Sequence, residues 1–504
     1  MNQAVESGEI QRRMAARDWS GAIAAARSLL AVDPGDVGAV LMLAEALLGA
    51  RQPAKALGAL KRLSPGAKAT PRQLMLEGRA RNNLGDLNAA EKAFRRLLEI
   101  EPDDADAHSN LGHVLRGLMR NEDAERHLRR AIELEPQHCR ALQTLAAICL
   151  TGGRTGEAVE ALQQAALIQP KNPVLLGHLG AALHRNGNFP AAEQAYRAAL
   201  AADPDQAEAW LNLGITLQDT GRLEQAVAAY DRSVHAAPGS VAARIRLIEA
   251  LLAHGEAQAA LTGVEHAQRL DPAHPSLLAA MSLALLGVGR EAEAEALLDL
   301  PRLVMSMDLE PPSGWDSVQS FNQALARHVL EHPTLAYEPE GHATRRGRHT
   351  GNLLEGDKGP VEMLEQAVNR AVERYVEQLD LAPNHPFPGP LPDSQRLTMW
   401  SVVMDTAGHQ LPHIHPAAWL SGVYYVELPS SLGDGEDNRD GWIEFGLPPE
   451  ELQAEPGPSL HAFAPAEGRL FLFPSYFYHR TMPFEGPARR ISIAFDVLRR
   501  PPGT

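Results

Sequence analysis

AEAWLNLGITLQDTGRLEQAVAAYDRSVHAAPGS, residues 207–240, contains in one stretch the plan of the first 300 residues. It reads as two helices joined by a turn and closed by Pro238, because proline lacks the N–H a helix needs and clashes with the preceding turn. Working outward, Pro102, Pro136, Pro170, Pro204, Pro238 and Pro272 stand 34 residues apart. Ala90, Ala124, Ala158, Ala192, Ala226, Ala260 and Ala294 keep the same spacing, as do Gly78, Gly112, Ala146, Gly180 and Gly214. A fourth series carries larger side chains: Phe94, Leu128, Leu162, Tyr196, Tyr230 and Val264. Four residue classes in phase over several periods define a repeat, and small residues at two of the positions let paired helices approach closely. The large series is expected to fill the space between one helix pair and the next.

With Trp210, the Leu213–Gly214 pair and Pro238 in place, the unit resembles the tetratricopeptide repeat. The resemblance runs over residues 5 to 304 and implies an all-α solenoid, 1–304, of about eight to nine repeats. It also implies a concave groove that holds a protein or an extended peptide; the other reading is a stalk that only sets spacing or oligomeric state. The ends are less regular. Pro34 and Pro65 are 31 residues apart, and the last unit ends in LDLPRLV with no proline in register, as expected of repeats that cap a stack.

A chain of 504 residues is too long for one core, so at least two domains are expected. A net charge of −16 argues against nucleic acid and against an anionic membrane surface, both of which need clustered Lys and Arg. Only Cys139 and Cys149 are present, both in one helical region, and they read as small buried hydrophobes in a reducing compartment. The N-terminal stretch has no apolar core of a signal peptide, and no run is apolar enough to span a membrane. A cytoplasmic protein is expected.

After Leu300 the 34-residue register is lost. Residues 305–315 read as a linker and 316–395 as a helical lead-in, with helices near 316–331 and 360–380. Between those helices the basic, glycine-rich stretch 342–360 reads as a loop, either solvated surface or the lining of a site for an anion. From residue 396 the period becomes two. Segments 396–405, 419–428, 441–446, 468–474 and 489–498 are predicted strands, and five strands in about 100 residues suggest a small sandwich or barrel.

LPHIHPAAWLSGVYYVELP, residues 411–429, places His413 and His415 two apart on extended chain, where they project to one face and can reach one ion. His479 follows the fourth strand and supplies a third imidazole. Neutral imidazole suits iron, zinc, copper or nickel, and a nitrogen cluster that leaves positions open reads as catalytic. Arg490 and Ser492 share one face of the last strand; a guanidinium fork beside a hydroxyl matches a carboxylate. His409 reads as surface, and Trp419 and Trp442 as packing residues.

Taken together, GHQLPHIH, SGVYYV, GRLFLFPSYFYHRTMPFEG and RRISIAFDV resemble the Fe(II)/2-oxoglutarate-dependent oxygenases of the prolyl-hydroxylase-like branch. The correspondence rests on Gly408 five residues before His413, on Phe473 and Pro474 ahead of His479, and on Arg490 with Ser492. It implies an α+β domain, 316–504, with a double-stranded β-helix (jelly-roll) core over 396–498. It further implies Fe(II) held by His413, His415 and His479, and 2-oxoglutarate anchored by Arg490 and Ser492. Tyr424 is assigned to the cosubstrate, although of the adjacent Tyr424 and Tyr425 only one can point inward. One departure stands out: His415 occupies the place of the family's carboxylate. Asp405 and Glu444 are the outside candidates for that missing charge.

The implied whole is a dioxygenase of hydroxylase type whose repeats recruit a protein or peptide substrate. Two other readings remain open at this point. One is a non-catalytic scaffold with a degenerate oxygenase domain, and the other a three-histidine dioxygenase that does not use 2-oxoglutarate.

Overall fold

The computed structural model describes residues 2–63, 69–337, 343–381, 385–387, 396–404, 408–429, 432, 438–452, 457–484 and 489–498. The chain divides into two compact units, 1–216 and 217–504.

In the first unit the helices come in antiparallel pairs such as Pro71–Asn83 with Leu87–Ile100 and Pro173–Arg185 with Phe189–Ala202. Their N-termini are set by side chains that accept the orphan backbone N–H, among them Asp18, Asp36, Thr70, Asp86, Asp104, Asn172 and Asn188. The turn within each pair needs one left-handed residue. Across both units such residues stand at Arg17, Arg51, Gly85, Met119, Gly153, Gly187, Gly221, Gly255 and Gly289, each 34 after the last. This series shows nine turns and runs unbroken through the first repeats, where the proline spacing slips. The large series packs on the small one: a Cβ on Gly78 would sit 2.5 Å from the Phe94 ring, and one on Gly180 2.6 Å from Tyr196. These side chains cover the glycine of their own repeat.

In the second unit the last repeats and the C-terminal domain share a core. Leu278, Ala279, Leu283, Leu297, Leu300 and Leu303 join Phe321, Leu364, Val368 and Tyr375 in one buried cluster. Pro275–Gly287 is buried almost all round for this reason, packing on the repeats and on the following domain alike. Hydroxyls of Tyr375 and Tyr476 donate to the carbonyls of Leu303 (2.9 Å) and Leu297 (2.6 Å). A terminal repeat docked in this way needs no proline stop.

The strands are β1 Met305–Asp308, β2 Ala336–Tyr337, β3 Thr344–Arg345, β4 Arg348–His349, β5 Leu397–Met404, β6 His409–His413, β7 Ala418–Glu427, β8 Ile443–Phe445, β9 His461–Phe463, β10 Arg469–Pro474, β11 His479–Thr481 and β12 Arg490–Leu498. They form two antiparallel sheets, ordered β1-β10-β7-β12-β5-β4-β2 and β3-β6-β11-β8-β9. All five segments predicted as strands are strands. Met305–Asp308, expected as linker, is instead an edge strand paired with β10, and the loop expected at 342–360 carries β3 and β4. The sheet-rich domain accords with an oxygenase fold. Among the described residues no helix is long and apolar enough to cross a membrane.

Candidate metal centre

β6 and β11 pair so that His413 stands directly opposite His479. His415 lies just past the end of β6. Its N–H donates to the Ser475 carbonyl (3.0 Å), and its ring stacks on Trp400 at 5.7 Å. Ring centroids are 4.3 Å apart for His413 and His479, 5.1 Å for His415 and His479, and 5.2 Å for His413 and His415. The ligand nitrogens of all three lie within 4.8 Å of one another.

Each ring is held through Nδ1. His413 donates to the Leu411 carbonyl (2.8 Å), His479 to the Phe477 carbonyl (2.9 Å), and His415 to the Asp496 carboxylate (2.9 and 3.0 Å). Carbonyl and carboxylate oxygens only accept, which places a proton on each Nδ1 and makes Nε2 the nitrogen left to face a metal. Desolvation, helped by His415, brings the His413 pKa down to about 4, and burial with His413 and His415 holds His479 well below the ordinary value. Both rings are neutral at pH 7, the form that binds a metal.

The carboxylate absent from the ligand ring stands one step behind it. Asp496, on the same face of β12 as Arg490 and Ser492, accepts from His415 and from the Ser421 hydroxyl (2.7 Å). Of the outside candidates, Glu444 is engaged by Arg480 (2.6 Å) and does not line the cavity, and Asp405 lies outside the described residues. His409 also stays off the cavity wall.

Both sheets line a cavity of about 380 Å³ that includes the three histidines. At its base Arg490 is only 2% exposed. Its Nη1 donates to Thr481 Oγ1 (3.3 Å), its guanidinium lies 5.2 Å from the Tyr425 ring centre, and no carboxylate among the described residues pairs with it. Arg490 Nε and the Tyr425 hydroxyl are both buried without a hydrogen-bond partner among those residues. A buried guanidinium left unpaired is costly, so this end of the cavity is built for an anion. Ser492 lines the same wall. Three imidazoles with free Nε2 and an unpaired guanidinium on one cavity fit a divalent metal and a carboxylate ligand.

Tyr424 is not part of this wall. Its hydroxyl donates to Asn322 Oδ1 (2.7 Å) under helix Val318–Leu330, because strand alternation sends it to the opposite face, and Tyr425 is the tyrosine that faces the cavity. Trp419 packs against Phe387. Among the lining residues that escaped the sequence reading are His349 on β4, which meets Thr344 Oγ1 at 2.6 Å, Thr481, Ser421 and Asp496. For Asp496 a signal existed, since it continues the inward i, i+2 series from Arg490 and Ser492 in an otherwise apolar strand.

Fold and site together define a helical-repeat protein bearing a two-sheet domain of the oxygenase type. Comparison with known families agrees. Residues 398–496 match the family described as "Putative 2OG-Fe(II) oxygenase", and tetratricopeptide-repeat families match residues 13–80, 84–149, 179–241 and 213–275. The chain thus carries tetratricopeptide repeats in its N-terminal part and a domain of that oxygenase family near its C-terminus. No curated protein matches it. Similar solved structures include the APC/C hetero-tetramer Cut9–Hcn1 (16% identity, 53% of this chain and 52% of that one, TM-score 0.41). Others are pilF of Pseudomonas aeruginosa (20%, 41% and 94%, 0.37) and the C-terminal part of a repeat protein from Cytophaga hutchinsonii (16%, 48% and 99%, 0.40).

Proposed function

We propose that the protein is an Fe(II)- and 2-oxoglutarate-dependent dioxygenase of hydroxylase type, whose repeats recruit a protein or peptide substrate. The observation that carries this reading is the unpaired, buried Arg490 on the same cavity as His413, His415 and His479. The three imidazoles would hold Fe(II); Arg490, Ser492 and the Tyr425 hydroxyl would hold the far carboxylate of 2-oxoglutarate. When bound, the metal and cosubstrate supply oxidative decarboxylation coupled to oxidation of a C–H bond by dioxygen. This chain's own residues fix the ring orientations through Leu411, Phe477 and Asp496, supply the anion's counter-charge, and wall the cavity with Val402, Ile443 and Phe473. A cationic anchor for a carboxylate favours this reading over a three-histidine dioxygenase that does not use 2-oxoglutarate.

Anaerobic titration with Fe(II) and then 2-oxoglutarate tests it. The expected result is the visible charge-transfer band of a chelated 2-oxo acid, lost in His413→Ala and His479→Ala and weakened in Arg490→Gln. Fe(II) binding without the band would move the 2-oxoglutarate-independent reading ahead. No metal binding would leave the non-catalytic scaffold.

A further inference from the structure

The first unit contains a second cavity of about 670 Å³, an open groove along the first helices of four successive repeats: Pro71–Asn83, Ala105–Gly117, Cys139–Thr151 and Pro173–Arg185. Three arginines converge on it, Arg79, Arg116 and Arg140. Among the described residues no ion pair engages any of the three, and Arg140 donates to the Asn110 side-chain oxygen (3.2 Å). Arginines on the second helices and the turns before them behave differently: Arg95 and Arg120 pair with Glu91, Arg129 and Arg154 with Glu125, and Arg197 with Glu193. The nearby carboxylate, Asp106, is engaged by His138 at 3.2 Å. The positive field is strong enough that Arg116 and Arg140 add to burial in lowering the His113 pKa. Beside the arginines, Asn82 and Asn83 present carboxamides, each able to donate to and accept from a peptide backbone.

From this arrangement we propose that the repeat groove takes an extended acidic peptide, its Asp or Glu side chains pairing with Arg79, Arg116 and Arg140 and its backbone with the asparagines. Guanidinium forks recognise carboxylates in two-point contacts, and an extended chain leaves its backbone amides free for the carboxamides. A polynucleotide fits less well. The groove wall has no Phe, Tyr or Trp on which bases could stack. The proposal refines the recruitment half of the function above. Its test reads binding alone, without iron or 2-oxoglutarate, so it stands or falls apart from the oxygenase chemistry.

The test is selection of a random 12-residue phage-displayed peptide library on the full chain, followed by fluorescence anisotropy with the recovered peptides. The expected set is enriched in Asp and Glu about threefold over the input. Arg79→Gln with Arg140→Gln then raises Kd at least about tenfold, as loss of charge-assisted bonds requires. Arg197→Gln, which removes a positive charge from a second helix, leaves Kd unchanged, and thermal melts show all variants folded. Recovery of no peptides, or of a set without acidic enrichment, would overturn the proposal. So would binding that survives the double variant or falls equally in Arg197→Gln, or tighter binding of a 12-nucleotide oligouridine.

Discussion

Replacing Asp496 by Asn isolates the charge behind His415. The carboxylate is 9% exposed and accepts from His415 Nδ1 and the Ser421 hydroxyl. Asparagine is nearly the same shape. Its Oδ1 can still accept from His415 while its amide donates to Ser421 Oγ, so ring orientation survives and only the charge is lost. Hydrogen bonds to charged groups contribute about 1.5–3 kcal/mol against about 1 kcal/mol for neutral ones. The difference, about 0.5–2 kcal/mol, corresponds to about a two- to thirtyfold loss of metal affinity. That overlaps the range of about 10–100-fold for partners of metal-bound histidines. Asp496→Ala, which also frees the ring and strands the Ser421 hydroxyl, should lose more, about 100-fold. Anaerobic calorimetry with Fe(II), and with Co(II) as a visible-absorbing substitute, measures both variants. Wild-type affinity in Asp496→Asn would refute the reasoning. An affinity loss matched by a comparable fall in the melting temperature of the metal-free variant would assign Asp496 to folding rather than to His415.

Arg490→Met removes an unpaired buried cation, so the metal-free protein should gain about 1–3 kcal/mol in denaturant unfolding while 2-oxoglutarate no longer perturbs the metal spectrum. Tyr425→Phe should weaken 2-oxoglutarate binding several-fold; Tyr424→Phe, which strands Asn322, should cost about 1–2 kcal/mol of stability and leave that binding unchanged. Arg154 and Arg129 hold the Glu125 pKa down at about 2 from 4.5, so its contribution is fully present above pH 4.5 and is lost as pH falls through 2. Arg154 is 38% exposed, and solvent screening limits the worth of the pair to about 1 kcal/mol. Glu125→Gln should accordingly lower the melting temperature at pH 7, with the difference from wild type shrinking between pH 4.5 and 2.

The repeats were legible because every period restates the same constraints: proline after the second helix, a small residue where helices touch, a large one covering it. The left-handed turn series was harder to see because Arg17, Arg51 and Met119 occupy positions where glycine is the usual signal. The long strands β5, β7, β10 and β12 showed as period-two runs buried on at least one face. The second sheet was less visible. β3, β9 and β11 are two or three residues each, too short for a period, and exist through pairing with distant partners. Met305–Asp308 hid beside Pro311 and Pro312, a turn signal that ends the strand rather than preventing it. At the site, the i, i+2 spacing put His413 and His415 on one face, and pairing of β6 with β11 brings His479 to them. Whether Tyr424 or Tyr425 faces inward depends on register with β12, where Ser492 stands opposite Tyr425.

β12 also accounts for the site's unusual charge arrangement. Arg490, Ser492, Ala494 and Asp496 form its inward series, so the cation and the anion stand six residues, or about 20 Å, apart along one strand. A carboxylate within the ligand ring would put negative charge directly on the metal. With His415 in that place, Asp496 would deliver its charge through the Nδ1 hydrogen bond instead. At the other end, Arg490 pairs with no carboxylate among the described residues and would fix where an incoming carboxylate sits. Ala494, the smallest member of the series, stands between the two ends and leaves the cavity open there. A bulky substitution at that position, Ala494→Leu, should therefore block 2-oxoglutarate while leaving Fe(II) affinity within about threefold of wild type. Loss of both together would mean that the cation and the imidazoles do not serve one ligand.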